Sequence, residues 1–283
     1  MRNDFVITIL CHCRPYDTTT VKSLRDCGYT GDIILVLDDE DETLPLYQEN
    51  FPECTIEIFS KDEMLQKMDI MNSNVTKNCG VYARNACFEI AKSHGYKYFM
   101  EADDDYIPFT HRYIENDKLY RQNTTDLDSI IEAYLEFLEI SPNIEAVAFA
   151  EPGDFVGGVG SNLNKKKYLR KCMGSWMMRT DSEIRFMGLM NDDVLTYSVY
   201  GMRGKIFITF PFMMIDTVPT QSVKGGMTEL YNSAGTYMKT FYSMLATPSF
   251  VKVGIYGDRH YRIHHNFTWN NACPKIISGR YRK

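Results

Sequence analysis

Short apolar runs recur through the first third of the chain, at residues 5–11, 32–37, 55–59 and 97–101, and each is bounded by polar or glycine positions. Runs of this length and composition predict β-strands. Between them the apolar positions change to a helical period. Residues 18–27 predict a helix stopped by Gly28, and residues 80–94 align Ala83, Ala86, Cys87, Ile90 and Ala91 on one stripe before Gly95. A longer helix is predicted over residues 126–140, with Leu127, Ile130, Ile131, Tyr134, Leu135 and Leu138 as its buried face. Thr124 or Thr125 caps it and Pro142 ends it. Strands alternating with helices imply an α/β fold with a mostly parallel sheet flanked by helices.

Beyond residue 150 the pattern loosens into a glycine-rich loop over residues 151–160, a basic run, short strands and a helix at about residues 193–201. No internal repeat or long linker interrupts it. We therefore expect one domain with two functional halves, a donor half over about residues 1–110 and an acceptor half over about residues 111–283.

The chain has 283 residues, 44% of them apolar and 13% aromatic, enough for a large core. Residues 206–215 form the longest strongly apolar run and fall short of the roughly 20 needed to span a bilayer. The N-terminus lacks the basic and small-residue signature of a secretory signal, so a cytoplasmic location is expected. Eight cysteines are scattered without CxxC pairs and are expected to be free thiols. Cys11, His12 and Cys13 suggest a metal site, but core or loop packing is the favoured reading for two free thiols. The sequons at Asn74, Asn123 and Asn266 carry no weight in a protein that is not secreted.

A net charge of −6 argues against a surface that binds nucleic acid everywhere. Three local basic segments remain candidates: residues 165–171, residues 259–265 and the tail 280–283. Solvated loops are the plain alternative for each.

The densest chemistry is at residues 98–106, where an apolar strand ends in Glu101, Asp103, Asp104 and Asp105. Four carboxylates this close repel unless a cation joins them. A hard divalent ion, Mn2+ or Mg2+, suits oxygen donors and leaves positions for phosphates. Open α/β sheets bind ligands beyond the carboxyl ends of their strands, where this cluster belongs. Upstream, Arg84 and Asn85 sit early in the helix that feeds this strand, where Arg84 can reach a diphosphate or one of the acids. Arg14, Asp38 and Asp39 follow two other strand ends on the same predicted edge and could hold a nucleobase and ribose. Later, Asp192 and Asp193 open a helix, which either caps it or supplies a base.

Taken together, these segments resemble the GT-A glycosyltransferases, above all the inverting family-two enzymes, with their Ala-Arg-Asn helix and Asp-x-Asp strand end. Here Glu101 stands at the first acidic position, and Asp103 with Asp105 supplies an alternative pair. The resemblance implies a GT-A-like fold, a UDP-sugar donor, Asp103 and Asp105 at the metal, and Glu101 and Asp104 beside the donor. It also implies Asp193 as the base, with Asp192 next to it. Such enzymes often recruit a late histidine to the metal or diphosphate, and of His260, His264 and His265 the candidate is His264.

A narrower resemblance rests on Tyr82 to Ala86, the acidic strand end, and the segment containing Gly225, Gly226, Tyr231, Gly235, Tyr237, Phe241, Tyr242 and Pro248. These look like the TET-associated glycosyltransferases, whose members glycosylate 5-hydroxymethylpyrimidines in DNA. It implies transfer of a sugar, glucose from UDP-glucose, to modified DNA engaged through local basic patches. The alternatives are a GT-A enzyme acting on polysaccharide, lipid or protein, and a non-catalytic module that binds nucleotide sugars.

Overall fold

The computed structural model describes residues 1–72, 76–217, 237–257, 261–268 and 271. The four runs read as strands form β1 (Phe5–Leu10), β2 (Asp32–Asp38), β3 (Thr55–Phe59) and β4 (Tyr98–Asp103). They pair in parallel in the order β3-β2-β1-β4. Between them lie α1 (Thr20–Asp26), α2 (Leu44–Asn50), α3 (Lys61–Lys67) and α4 (Val81–Ser93).

β1 shows why the sheet is covered on both faces. Phe5, Ile7 and Ile9 join a core with Val21 and Leu24 of α1, whereas Val6 joins a second core with Tyr82 and Ala86 of α4. Alternation at a period of two thus sends one strand into both helical layers. The predicted 126–140 helix is α5 (Leu127–Ile140), and its Ile131, Leu135 and Leu138 enter the first core.

The second half departs from the mostly parallel pattern. β5 (Tyr106–Glu115) and β6 (Lys118–Asn123) form a hairpin directly after the acidic strand end. Their largely exposed, polar positions hid them from a reading based on apolar runs. β7 (Ile144–Ala150), β8 (Trp176–Arg179) and β9 (Ile206–Thr217) complete a nine-stranded sheet in the order β3-β2-β1-β4-β8-β7-β9-β5-β6. β8 is antiparallel to both β4 and β7, while β7 and β9 run parallel. The sheet is therefore parallel in its first half and mixed in its second.

The 151–160 loop contains two short 3-10 turns and leads into α6 (Asn162–Lys166). The helix expected at 193–201 is α7 (Asp192–Met202). After it come α8 (Met238–Ala246) and a hairpin of β10 (Val251–Tyr256) and β11 (Arg262–Phe267). Among the described residues no helix is long and apolar enough to cross a membrane. Gly225, Gly226, Tyr231, Gly235, Arg259, His260, Cys273 and the 280–283 tail lie outside the described residues.

The strand order reverses between β1 and β4, since β2 and β3 extend to one side and β8 onward to the other. Crevices at such reversals are where open α/β sheets bind ligands. The end of β1, the end of β4 and the start of α4 all meet there.

Gly28, which stops α1, has φ +88°, and a methyl group there would stand 2.3 Å from the Thr125 carbonyl oxygen before α5. Gly28→Ala combines left-handed strain with a backbone collision. We expect a loss of about 2–4 kcal/mol, read as a clearly lower melting temperature with the secondary structure content retained.

Candidate active site

Arg84 lies one turn into α4, which turns its side chain under the end of β4. It is 8% exposed. Its Nη1 binds Glu101 Oε1, its Nη2 lies 3.2 Å from Asp103 Oδ1 and its Nε 2.7 Å from Asp192 Oδ2. Asp193 Oδ1 is 3.8 Å from Nη1. One guanidinium therefore faces four carboxylates brought by β4 and by the first turn of α7. The fork geometry of arginine suits this convergence, which a lysine point charge could not reproduce.

Burial and mutual repulsion mark these acids. Glu101 is fully buried, and burial pushes its carboxyl well above the usual range although Arg84 opposes it. Asp103 and Asp192 are both pushed up to about 6, by burial first and by neighbouring carboxylates after it, with Arg84 pulling the other way. Glu101 Oε2 is buried without a hydrogen-bond partner. A single positive charge leaves this group of acids undercompensated.

Asp193 is held by a second residue. The Trp176 indole donates to its Oδ1 at 2.6 Å, from the first position of β8. Trp176 is fully buried between Phe186 and Phe207, so the indole cannot swing away. Asn191 precedes the pair in the left-handed region, φ +62°. Its amide donates to Ser243 Oγ, which ties the start of α7 to α8. Asp192 thus faces Arg84, while Asp193 is shared between Arg84 and Trp176.

On the other side of the crevice, Arg14 follows β1 and its Nη1 donates to Asp104 Oδ1 at 3.2 Å. Asp104 is buried, which pushes its pKa up to about 7 against the pull of Arg14. Asp105 is shifted upward by burial as well. Asp38 ends β2, where His12 Nδ1 is 2.6 Å from its Oδ2 and Lys61 Nζ is 2.8 Å from its Oδ1. The hydrogen bond to Asp38 raises the His12 pKa.

The other candidate residues read from the sequence have partners of their own. Asn85 is not turned toward the crevice, because its amide is consumed by the backbone. It donates to Val81 O and Phe186 O and accepts from Phe186 N, which pins the 186 loop to α4. Asp39 is exposed and caps α3 by accepting from Lys61 N at 3.2 Å. Asp103, Asp105 and His264 do not gather into one ligand group among the described residues. His264 lies on the β10–β11 hairpin, stacked on His265 at 4.5 Å and facing Tyr256. His265, rather than His264, reaches the shoulder of the site, with its Nδ1 3.5 Å from Asn191 Nδ2.

His12, Cys13 and Asp41 are the one such group found among the described residues. Asp41 is already occupied as a loop staple, accepting from Thr43 N, Thr43 Oγ1 and Cys13 N. Cys11 is buried and Cys13 exposed, because β1 has ended at Leu10 and the chain turns through Cys13 at φ +54°. Lys61, Trp176 and Glu151 were not anticipated from sequence. Each stands alone in the chain with no motif around it, and only the fold brings it to the site.

The chain belongs to the TET-associated glycosyltransferase family, whose sequence model matches residues 5–226. No curated protein matches it. Among solved structures, glucosyl-3-phosphoglycerate synthase from Mycobacterium tuberculosis, in complex with Mn2+, UDP and phosphoglyceric acid, aligns at 8% identity with a TM-score of 0.44. That alignment covers 93% of this chain and 86% of the other. GalNAc-T7 with UDP, GalNAc and Mn2+ aligns at 11% identity and a TM-score of 0.47, over 87% of this chain and 48% of that one.

Removing Arg84 leaves Glu101 buried and unpaired. Arg84→Ala should cost about 3–5 kcal/mol in denaturant unfolding. Adding Glu101→Gln should recover a substantial part of that loss, because the stranded charge is then gone. A double variant no more stable than Arg84→Ala would show that Glu101 is not the residue that depends on Arg84.

Proposed function

We propose that this glycosyltransferase moves glucose from UDP-glucose onto the hydroxymethyl group of a 5-hydroxymethylpyrimidine in DNA, inverting the anomeric carbon. The observation that carries the reading is the convergence of Glu101, Asp103, Asp192 and Asp193 on Arg84 at the point where strand order reverses. Family membership supports sugar transfer. The donor, the metal and the DNA acceptor are the proposal.

The residues fit a divalent cation in charge and in donor type. All the nearby acids are hard oxygen donors, Glu101 Oε2 is orphaned, and one guanidinium faces four carboxylates. Asp103 and Asp105 would hold the ion, with Glu101 as the alternate. When bound, the ion neutralises the charge that develops on the departing diphosphate. Arg14, through Asp104, joins the β1 loop to the acidic turn and would sit beside the donor, and Asp38 would lie at the nucleoside end.

The protein's own part in the chemistry falls to Asp193. The acceptor hydroxyl must lose its proton as its oxygen attacks the anomeric carbon, and the UDP leaves from the opposite face. Asp193 can take that proton on the oxygen not engaged by Trp176. Asp192, whose carboxylate is turned to Arg84, keeps the first turn of α7 in register with β4.

For DNA, the described basic surface is at α6. Lys165, Lys166 and Lys167 are exposed, and buried Leu163 anchors the segment against Phe155 and Met214. Lys171 is not part of it, since its amine pairs with Asp154.

Three measurements test this reading. Asp193→Asn should lower kcat by roughly 10²–10⁴-fold with donor and DNA binding nearly intact, and Asp192→Asn should be milder. A reversed ranking moves the base to Asp192. Asp103→Asn and Asp105→Asn should each abolish turnover and the metal dependence of UDP binding, and full activity in both would refute the assignment. Charge reversal at Lys165, Lys166 and Lys167 should raise the DNA KM more than the donor KM and flatten its salt dependence. UDP release stimulated by glycans or proteins, but not by hydroxymethylated DNA, would assign the enzyme another acceptor.

A further inference from the structure

Of the basic run at residues 259–265, the described part lies on and beside β11, in a hairpin whose two strands contain no acid. On a chain with a net charge of −6 that is a local exception. The register sets Tyr256 opposite Arg262, Gly254 opposite His264 and Lys252 opposite Asn266, so alternation puts these six residues on one face. Lys252, Tyr256, Arg262 and Asn266 are exposed there, and His264 is half-buried.

The face is ordered as well as charged. The Arg262 guanidinium lies over the Tyr256 ring, 5.5 Å from its centroid, and His264 packs against the same ring at 5.6 Å. Stacking of this kind fixes the plane of a guanidinium while its N–H edge stays open to a ligand. Among the described residues Lys252, Arg262 and His264 form no ion pair. Burial lowers the His264 pKa, and Arg262 and then Lys239 of α8 lower it further, so the charges acting on this imidazole are all positive.

The hairpin is also fastened to the candidate active site. Thr240 Oγ1 of α8 donates to Ile263 O at 3.4 Å, and His265 Nδ1 lies 3.4 Å from Ser243 Oγ and 3.5 Å from Asn191 Nδ2. Asn191 is the residue before Asp192 and Asp193. The hairpin that carries these cations is therefore anchored at the helix start that carries the proposed base.

The chemistry of the face names its ligand. A guanidinium fork and an ammonium suit phosphate oxygens, and an aromatic beside them is the pairing that tracks nucleic-acid strands. Arg262 and Lys252 stand four residues apart along the paired strands, about 13 Å. That separation suits repeated charges along a polymer rather than one compact anion such as a diphosphate.

We infer that this face of the β10–β11 hairpin binds backbone phosphates of the acceptor DNA through Arg262 and Lys252, in addition to the lysines of α6. The inference rests on the DNA acceptor proposed above. It makes DNA engagement the work of two basic surfaces, one of them joined to the start of α7.

Fluorescence anisotropy with a labelled, unmodified DNA duplex over a salt series, together with calorimetry of UDP binding, tests this. Arg262→Gln and Lys252→Gln should each weaken DNA binding about fivefold to tenfold and lower the slope of log affinity against log salt by about one. UDP affinity and melting temperature should not change. Lys22→Gln, exposed on α1, is the control and should leave DNA affinity within about twofold of wild type. An equal loss in that control would reduce the effect to net charge and overturn the inference. DNA affinity and salt slope unchanged in both hairpin variants, with wild type binding DNA, would overturn it and leave the DNA acceptor standing. A loss of UDP affinity instead would give the face to the donor diphosphate. A wild-type dimer that Arg262→Gln dissociates in sedimentation, with DNA affinity unchanged, would give it to a second copy of the chain. Either result overturns the inference. A wild type that binds UDP but neither plain nor hydroxymethylated DNA would overturn the DNA acceptor and this inference with it.

Discussion

Charge balance around the buried guanidinium of Arg84 governs the placement of everything near it. Glu101 and Asp103 come from β4, and Asp192 and Asp193 come from a helix about ninety positions later in the chain. Burying a carboxylate without a partner is costly, so each of these acids depends on Arg84, and Arg84 depends on them. The contact fixes how α4, β4 and α7 sit against one another. Asn85, the next residue, extends the same joint by fastening the 186 loop through two backbone hydrogen bonds. Two adjacent positions on one helix thus serve different ends, one gathering charge at the site and the other tethering the loop that leads to α7.

The joint remains incomplete as a purely structural device. A core selected only for stability would replace a buried ion cluster with apolar side chains, which is often neutral or stabilising. Here four acids face one arginine, and an oxygen of Glu101 is left without a donor. Unsatisfied polar groups of this kind are rare and collect at functional sites, where strain in the free protein is relieved by what binds. The Tyr106 hydroxyl, buried in the field of Asp103 and Glu101, likewise lacks an aligned hydrogen-bond partner.

The sequence made the parallel half of the fold legible because its strands are continuous apolar runs, as strands covered on both faces must be. The acidic strand end, Arg84 and the Asp192–Asp193 helix opening were equally readable, since each is a cluster or a motif. The β5–β6 hairpin was not, because it is polar on its exposed face and lacks a strong turn signal: Asn116 and Asp117 both adopt positive φ without a glycine. Asn85 and Asp39 present a common difficulty to a reading of the sequence. A polar side chain beside a motif looks available in sequence, and only coordinates reveal that the backbone has already used it. Trp176 and Glu151 could not be found at all, because their significance lies in β8 being inserted between β4 and β7.

That placement explains how the second half of the sheet contributes to the candidate site. β8 enters antiparallel between β4 and β7, so its first residue, Trp176, arrives at the same edge where β4 and β7 end. A parallel strand in that position would have presented its last residue there instead, and the segment before it would have lain at the far edge of the sheet. Because β8 runs the other way, the 171–175 approach to it crosses the functional edge and brings Gly174 over Tyr106 and Glu151. The same reversal aims the Trp176 indole at Asp193. The change from parallel to mixed pairing in the second half of the sheet therefore supplies the segment that orients the proposed base, using β-strand register to set it.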